Sequence, residues 1–252
     1  MVRHFIIMSD SYSEHTRIAL DILEKTQDDV NYITDVVLKI KKACKGEAPF
    51  STHSICADSE EWASVLKVDP YFAGVKVIDS VEEFITKIMK DRVLKGFDVA
   101  RYILTKLSCS HLKLEKLCYL CYADYLCKTG NRLFEDKIYA FRYGPVVDTV
   151  YEKYKKYGDL EIVEREEIVE REEIIEKQER LELPWESRIL FSENGIEKVH
   201  SINETLGKYG GFPAWGLVEI THSGDTPWAH SYKGQNYNEI SDKEILKWHC
   251  NE

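Results

Sequence analysis

Between Ser110 and Gly130 runs HLKLEKLCYLCYADYLCK, a stretch without proline or glycine that is apolar on nearly every side of a helical wheel. A helix at a protein surface keeps one polar face. This one does not, so it predicts a central helix buried on all sides. Ser110 is suited to cap its start and Gly130 to end it. The rest of a domain must be built around it.

The chain has 252 residues, 44% of them hydrophobic, enough for one large core or two small ones. It has no apolar run long enough to span a bilayer, and no charged and then apolar leader pattern at its start. The expectation is a soluble, cytoplasmic protein with no membrane partner. Seven irregularly spaced cysteines fit a reducing compartment better than a disulfide framework. The net charge is −10. Residues 1–96 hold 13 Lys/Arg against 16 Asp/Glu, and residues 159–182 hold 4 against 11. That leaves no broad basic footprint for phosphates, so DNA is a weak partner class.

HFIIMS (4–9) has the character of a strand. After it, Ser13 is expected to cap a helix reaching Cys44, with Ile18, Ile22, Ile33, Val36 and Ile40 on its apolar side. A helix near Asp58 to Val68 stops before Pro70, and AGVKVI (73–78) is a second strand, paired with the first. Ser80 and Glu83 form a capping box for VEEFITKIMKDRVL, which Gly96 stops. Residues 1–96 thus read as a small α/β accessory domain. The cluster Lys39, Lys41, Lys42 and Lys45 at a helix end complements the helix dipole better than it forms a DNA patch.

From residue 97 the pattern is mostly helical. FDVARYILTKL is a helix, then comes the central one. PVVDTVYEKYKKYG is read as a helix with Pro145 at its first position and Gly158 at its end. Ser192 is expected to cap NGIEKVHSINETLGKYG, Pro213 to start a helix through WGLVEITHS, and Ser241 to cap DKEILKWH. Thr226-Pro227-Trp228 is read as a turn. The fold class expected is α+β: a mostly α-helical C-terminal domain (97–252) behind the small α/β one. A charged insertion, residues 159–183, contains the repeat IVEREE, IVEREE, IIEKQE. Its period of six buries no face of a helix or a strand, so a solvated helix and a mobile insertion both stay open.

Three patterns invite a chemical reading. Cys118 and Cys121 make a CxxC, but inside an apolar helix two such cysteines behave as small hydrophobes, and neither a zinc set nor a redox motif is completed. ITHSGDTPW (220–228) offers Thr221, His222, Ser223, Asp225 and Trp228 together. Adjacent residues on a helix diverge by about 100°, so they do not converge as a catalytic triad does. Helix-end chemistry accounts for Ser223 to Pro227, with Asp225 and Thr226 in an Asx-type turn and Trp228 anchoring it in an apolar pocket. RYGPVV (142–147) is a tight turn feeding a helix start, whose amides and Arg142 would hold an anion; a plain connector with Arg142 paired to a carboxylate is the favoured alternative. Tyr119, Tyr122 and Tyr125 are expected in the core. Tyr151, Tyr154 and Tyr157, beside Lys153, Lys155 and Lys156, are read either as a core edge or as a partner surface.

KLEKLCYLCYADYL, AFRYGPVVDTVYEKYKKYG and LVEITHSGDTPW, in that order and rough spacing and opened by FDVARYIL, resemble the GepA/SocA-like phage-associated domain, also called the Panacea antitoxin domain. The resemblance spans about residues 97–248. It implies an α-helical bacterial domain that acts by binding a protein. Family members neutralise varied toxins encoded beside them, and the SocA-like branch delivers its toxin to a protease as an adaptor. No enzymatic activity is implied. The chain departs from the pattern in having Glu115 where the family often has Gln, in its longer charged repeat, and in its first 96 residues, for which choosing the toxin, binding operator DNA and mediating assembly are all open.

The function expected is an antitoxin that neutralises a protein toxin from a neighbouring gene by direct binding. The alternative is a protease adaptor or phage-encoded regulator without its own toxin; a hydrolase or metal enzyme comes last. The motif residues put forward are Arg142, Tyr143, Gly144, Pro145, Val146, Tyr151, Tyr154, Thr221, His222, Ser223, Pro227 and Trp228. No catalytic residue, cofactor or metal is expected. Expected partners are the cognate toxin and a bacterial protease or unfoldase, with a homo-oligomer left open.

Overall fold

Val2–Ser11 (β1) and Thr16–Glu24 (β2) form an antiparallel hairpin with an unbroken register from Arg3↔Glu24 to Ser11↔Thr16. The computed structural model describes residues 1–47, 49–162 and 184–250; the IVEREE repeats after Ile162, and with them the choice between a solvated helix and a mobile insertion, lie outside these. The described residues fall into two compact units, Met1–Arg92 and the residues from Val93 onward. The fold class is α+β.

In the first unit Ser51–Ala57 (β3) pairs antiparallel with β1, and the two-residue strand Lys76–Val77 (β4) lies parallel to β2, giving the order β3-β1-β2-β4. Helices Gln27–Ala43 (α1) and Val81–Asp91 (α3) pack on one face of the sheet through Ile7, Ile18, Leu20, Val36, Ile40, Phe84 and Ile88. Trp62–Val68 (α2) and the 3₁₀ turn Pro70–Phe72 cover the other through Ile6, Met8, Ala19, Val65 and Phe72.

The expected helix from Ser13 is therefore half wrong: residues 16–24 are a strand. Ile18 and Ile22 fit an i,i+4 step as well as a two-residue alternation, and a strand covered on both faces lacks the alternation that would have marked it. The cap of α1 is Thr26, in a reciprocal capping box with Asp29. AGVKVI contributes only Lys76 and Val77, and they pair with β2 rather than β1. Helix α3 ends at Asp91, before Gly96.

In the second unit Gly96–Lys106 (α4) precedes the central helix His111–Thr129 (α5), which is capped by Ser110 and closed by a left-handed Gly130, as expected. A Cβ on Gly96 would lie 2.6 Å from Val147 Cγ1, so this glycine serves close packing of α4. Ile138–Phe141 (β5), Gly144–Val147 (β6) and Asn238–Glu239 (β7) form an antiparallel sheet in the order β6-β5-β7. The helices that follow are Asp148–Tyr154 (α6), Trp185–Leu190 (α7), Gly195–Tyr209 (α8), Ala214–His222 (α9), Pro227–Ser231 (α10) and Asp242–Trp248 (α11). Helix α5 touches α4, α6, α8, α9, α11 and β6. Leu114, Leu117, Cys118, Cys121, Tyr122 and Tyr125 are all buried in it, as is Tyr119. Burial raises the Cys118 and Cys121 thiols above their ordinary range.

Several local expectations are corrected. Pro145 sits in strand β6 and not at a helix start; α6 begins three residues later. Gly158 closes a short 3₁₀ segment after α6. The cap of α8 is Asn194, while the Ser192 hydroxyl donates to the Ile189 carbonyl at 2.7 Å. Thr226-Pro227-Trp228 is a helix start rather than a turn: Thr226 caps α10, whose first residue is Pro227. The cysteines are not all free, because Cys127 on α5 and Cys250 beyond α11 are joined in a disulfide. No helix among the described residues is long and apolar enough to cross a membrane.

Candidate functional site

The two sequence signatures meet on the outer side of α5. Strands β5 and β6 form a hairpin in which Phe141 opposes Gly144 and Ala140 opposes Pro145, so Arg142 and Tyr143 are the turn. Gly144 has φ +108°, and a Cβ there would lie 2.8 Å from Lys116 Cε and 3.1 Å from Thr221 Oγ1. That single position requires glycine twice over, for its backbone and for the space.

The hairpin is held from below by two neighbours on α5. Lys116, fully buried, donates through Nζ to the Pro145 carbonyl at 2.7 Å. Glu115, also buried, accepts from the Val147 N–H through Oε2 at 3.0 Å. Two ionisable residues placed side by side on a helix thus satisfy the edge strand β6 at two points, a carbonyl and an amide. Burial drives Glu115 up to about 8 and Lys116 down to about 7, each restrained by the other's charge. His111 Nε2 stands 3.9 Å from Glu115 Oε1, and burial lowers the imidazole below its usual range.

The second signature holds the hairpin from its flank. Trp228 Nε1 donates to the Phe141 carbonyl at 2.7 Å. Its indole is stacked on one side by His222, with centroids 3.7 Å apart and planes 10° apart, and on the other by Tyr232 at 5.0 Å. Burial, then the charge of Lys116, lowers the pKa of His222. Thr221 is buried and donates to the Leu217 carbonyl at 2.9 Å. Ser223, exposed, donates to Ile220 at 3.3 Å and ends α9. The Thr226 hydroxyl accepts from the Ala229 N–H at 3.3 Å and donates to the Ser223 carbonyl at 3.0 Å. Thr226 therefore does the work expected of an Asx-type turn at Asp225, whose side chain is 91% exposed.

Residues 114–229 match the family described as antitoxin SocA-like, Panacea domain. The Panacea match begins one residue before Glu115 and ends one residue after Trp228, so it encloses both halves of this arrangement. It is narrower than the resemblance drawn from the sequence, and FDVARYIL lies outside it. No curated protein and no solved structure matches the chain.

The motif residues divide by exposure. Gly144, Pro145, Val146, Thr221 and Pro227 are buried. Tyr154 is fully buried too, stacked on Phe97 at 6.2 Å, which corrects its reading as partner surface. Tyr151 is half-buried against His111 and Phe141. What faces outward is the turn. The Arg142 N–H donates to Asn236 Oδ1 at 3.1 Å, and its guanidinium lies 5.4 Å from the Tyr143 ring. Among the described residues no carboxylate pairs with Arg142, and α6 starts too late for RYGPVV to form an anion site; Asp148 is in the first turn of that helix.

Tyr143 is 47% exposed and meets Trp215, 60% exposed, edge to face at 5.7 Å. Phe212, 43% exposed, lies beside Gly216 on the same helix entry. Trp215 and Phe212 are not among the residues that the sequence motifs single out. The helical wheel held the signal: Leu217, Val218 and Thr221 share the buried side of α9, and Trp215 falls about 200° from Leu217. The clamp by Glu115 and Lys116 was also missed, because charged residues in an apolar helix give no sign of where their hydrogen bonds go.

Proposed function

We propose that the protein is a non-catalytic antitoxin that neutralises a protein toxin encoded by a neighbouring gene, and that it does so through the surface of Arg142, Tyr143, Phe212 and Trp215. The Panacea match supports the antitoxin role. The observation that carries the surface is the exposed contact of Tyr143 with Trp215, Tyr143 lying on a turn held by the buried Glu115 and Lys116 and by the half-buried Trp228. Tyr, Trp and Arg dominate binding hot spots, and a contact already held in place loses little entropy on association. The buried motif residues then act by aiming the turn, and His222 and Trp228 brace it.

Co-expression with the neighbouring gene tests this. The neighbour alone should arrest growth, and the pair should co-purify. Trp215→Ala and Tyr143→Ala should each abolish rescue and weaken binding by more than about tenfold, a hot-spot loss, with thermal stability unchanged. A harmless neighbour, or a pull-down that yields an unfoldase without a small cognate partner, overturns the reading.

A further inference from the structure

We infer that strand β3 (Ser51–Ala57) is a dimer edge, which pairs antiparallel with β3 of a second copy of the chain. The strand carries one of the two edges of the N-terminal sheet. Among the described residues its backbone bonds to β1 alone. Ser51, Thr52, Ser54 and Cys56 are exposed along it. Helix α2 packs on one side of the strand, with Ile55 and Ala57 beside Val65, and Thr52, Ser54 and Cys56 form the exposed row on the other.

Natural edge strands are usually blunted by charge, proline or a bulge. Ser-Thr-His-Ser-Ile-Cys-Ala has none of these, and its register with β1 is unbroken from Val2↔Ala57 to Met8↔Ser51. The neighbouring strands do carry charges, Arg3 and Asp10 on β1 and Arg17, Asp21 and Glu24 on β2. A strand of this kind is a template for another strand.

The occupant follows from symmetry and charge. Centred on Ser54, the strand is complementary to itself: Thr52 faces Cys56, Ser54 faces Ser54, His53 faces Ile55 and Ser51 faces Ala57. No pair contains Lys, Arg, Asp or Glu, and the one pair of large side chains is His53 with Ile55. In a chain of net charge −10, two copies approach each other with least repulsion along a neutral strand. The assembly also closes. The opposite side ends in β4, only Lys76 and Val77 long, and a twofold contact uses the same edge of both copies, so β3 is consumed on each and growth stops at a dimer.

Sedimentation of the full chain at about 0.1 mM, a concentration at which small edge contacts associate, should give twice the monomer mass. Ser54→Lys places like charges directly opposite each other and should raise the dissociation constant about fivefold, with an unchanged thermal midpoint at dilutions where both proteins are monomeric, since Ser54 is exposed. Directly opposed residues have Cα atoms about 4.5–5.5 Å apart, within disulfide range. Ser54→Cys in a Cys56→Ser background should therefore form a covalent dimer on mild oxidation, whereas native Cys56, facing Thr52, should not. A wild-type monomer at that concentration overturns the inference. So does a dimer that survives Ser54→Lys while Ser54→Cys fails to cross-link.

Discussion

Replacing Gly144 by alanine tests the site at its most constrained point. A residue with a side chain at φ +108° carries backbone strain of roughly 1–3 kcal/mol. The new methyl would also stand 2.8 Å from Lys116 Cε and 2.9 Å from its Nζ. Lys116 is fully buried and tied to the Pro145 carbonyl, so it has no solvent to move into. Displacing it gives up a hydrogen bond to a charged or strongly polar donor, about 1.5–3 kcal/mol. Together these make a loss of about 2.5–6 kcal/mol, a large part of an ordinary domain's stability. Urea unfolding followed by tryptophan fluorescence measures it, because Trp185, Trp215, Trp228 and Trp248 all lie in the second unit. The control is Gly207→Ala, inside α8 with nothing near its Cβ position, which should be neutral or stabilise by up to about 1 kcal/mol. A Gly144→Ala loss below about 1 kcal/mol, or equal effects at the two sites, would refute the clamp.

Trp228→Phe leaves the Phe141 carbonyl without its indole donor; thermal or urea unfolding should show a loss of about 1–3 kcal/mol. The buried pair predicts a pH dependence. Glu115 has a folded pKa of about 8, above its ordinary 4.5, so its stability contribution is full below pH 4.5 and lost as pH rises through 8. Lys116 has a folded pKa of about 7, below its ordinary 10.5, so its contribution is full above 10.5 and lost as pH falls through 7. The pair's joint contribution is therefore lowest between pH 7 and 8. Unfolding curves should show Glu115→Gln flattening the acid limb and Lys116→Met the alkaline limb. Protein isolated without reductant should titrate, after denaturation, as the five thiols Cys44, Cys56, Cys109, Cys118 and Cys121, and reduction should lower the melting temperature, because the Cys127–Cys250 link closes a loop of 123 residues.

Much was legible without coordinates. Helix α5, its caps at Ser110 and Gly130, the Ser241 cap and the Pro213 helix start all follow from rules that act within a few residues. The burial of Tyr119, Tyr122 and Tyr125 follows from a pattern apolar on all sides. The doubtful standing of ITHSGDTPW as a catalytic triad also came from local geometry alone.

What the sequence left open is what distant partners decide. TRIALDILE fits a helix or a strand by its apolar spacing, and pairing with Val2–Ser11 makes it a strand. RYGPVV reads as a helix entrance until Phe141 is found opposite Gly144 and Asn238 opposite Ala140, when it becomes a hairpin turn. Tyr154 stands among lysines in a segment that reads as core edge or partner surface, and only packing against Phe97 buries it. Helix caps and helix patterns are written in neighbouring residues because their hydrogen bonds close within one turn. Strand pairing, the glycine at 144 and the clamp from Lys116 join residues tens of positions apart, and that choice is made by the tertiary structure.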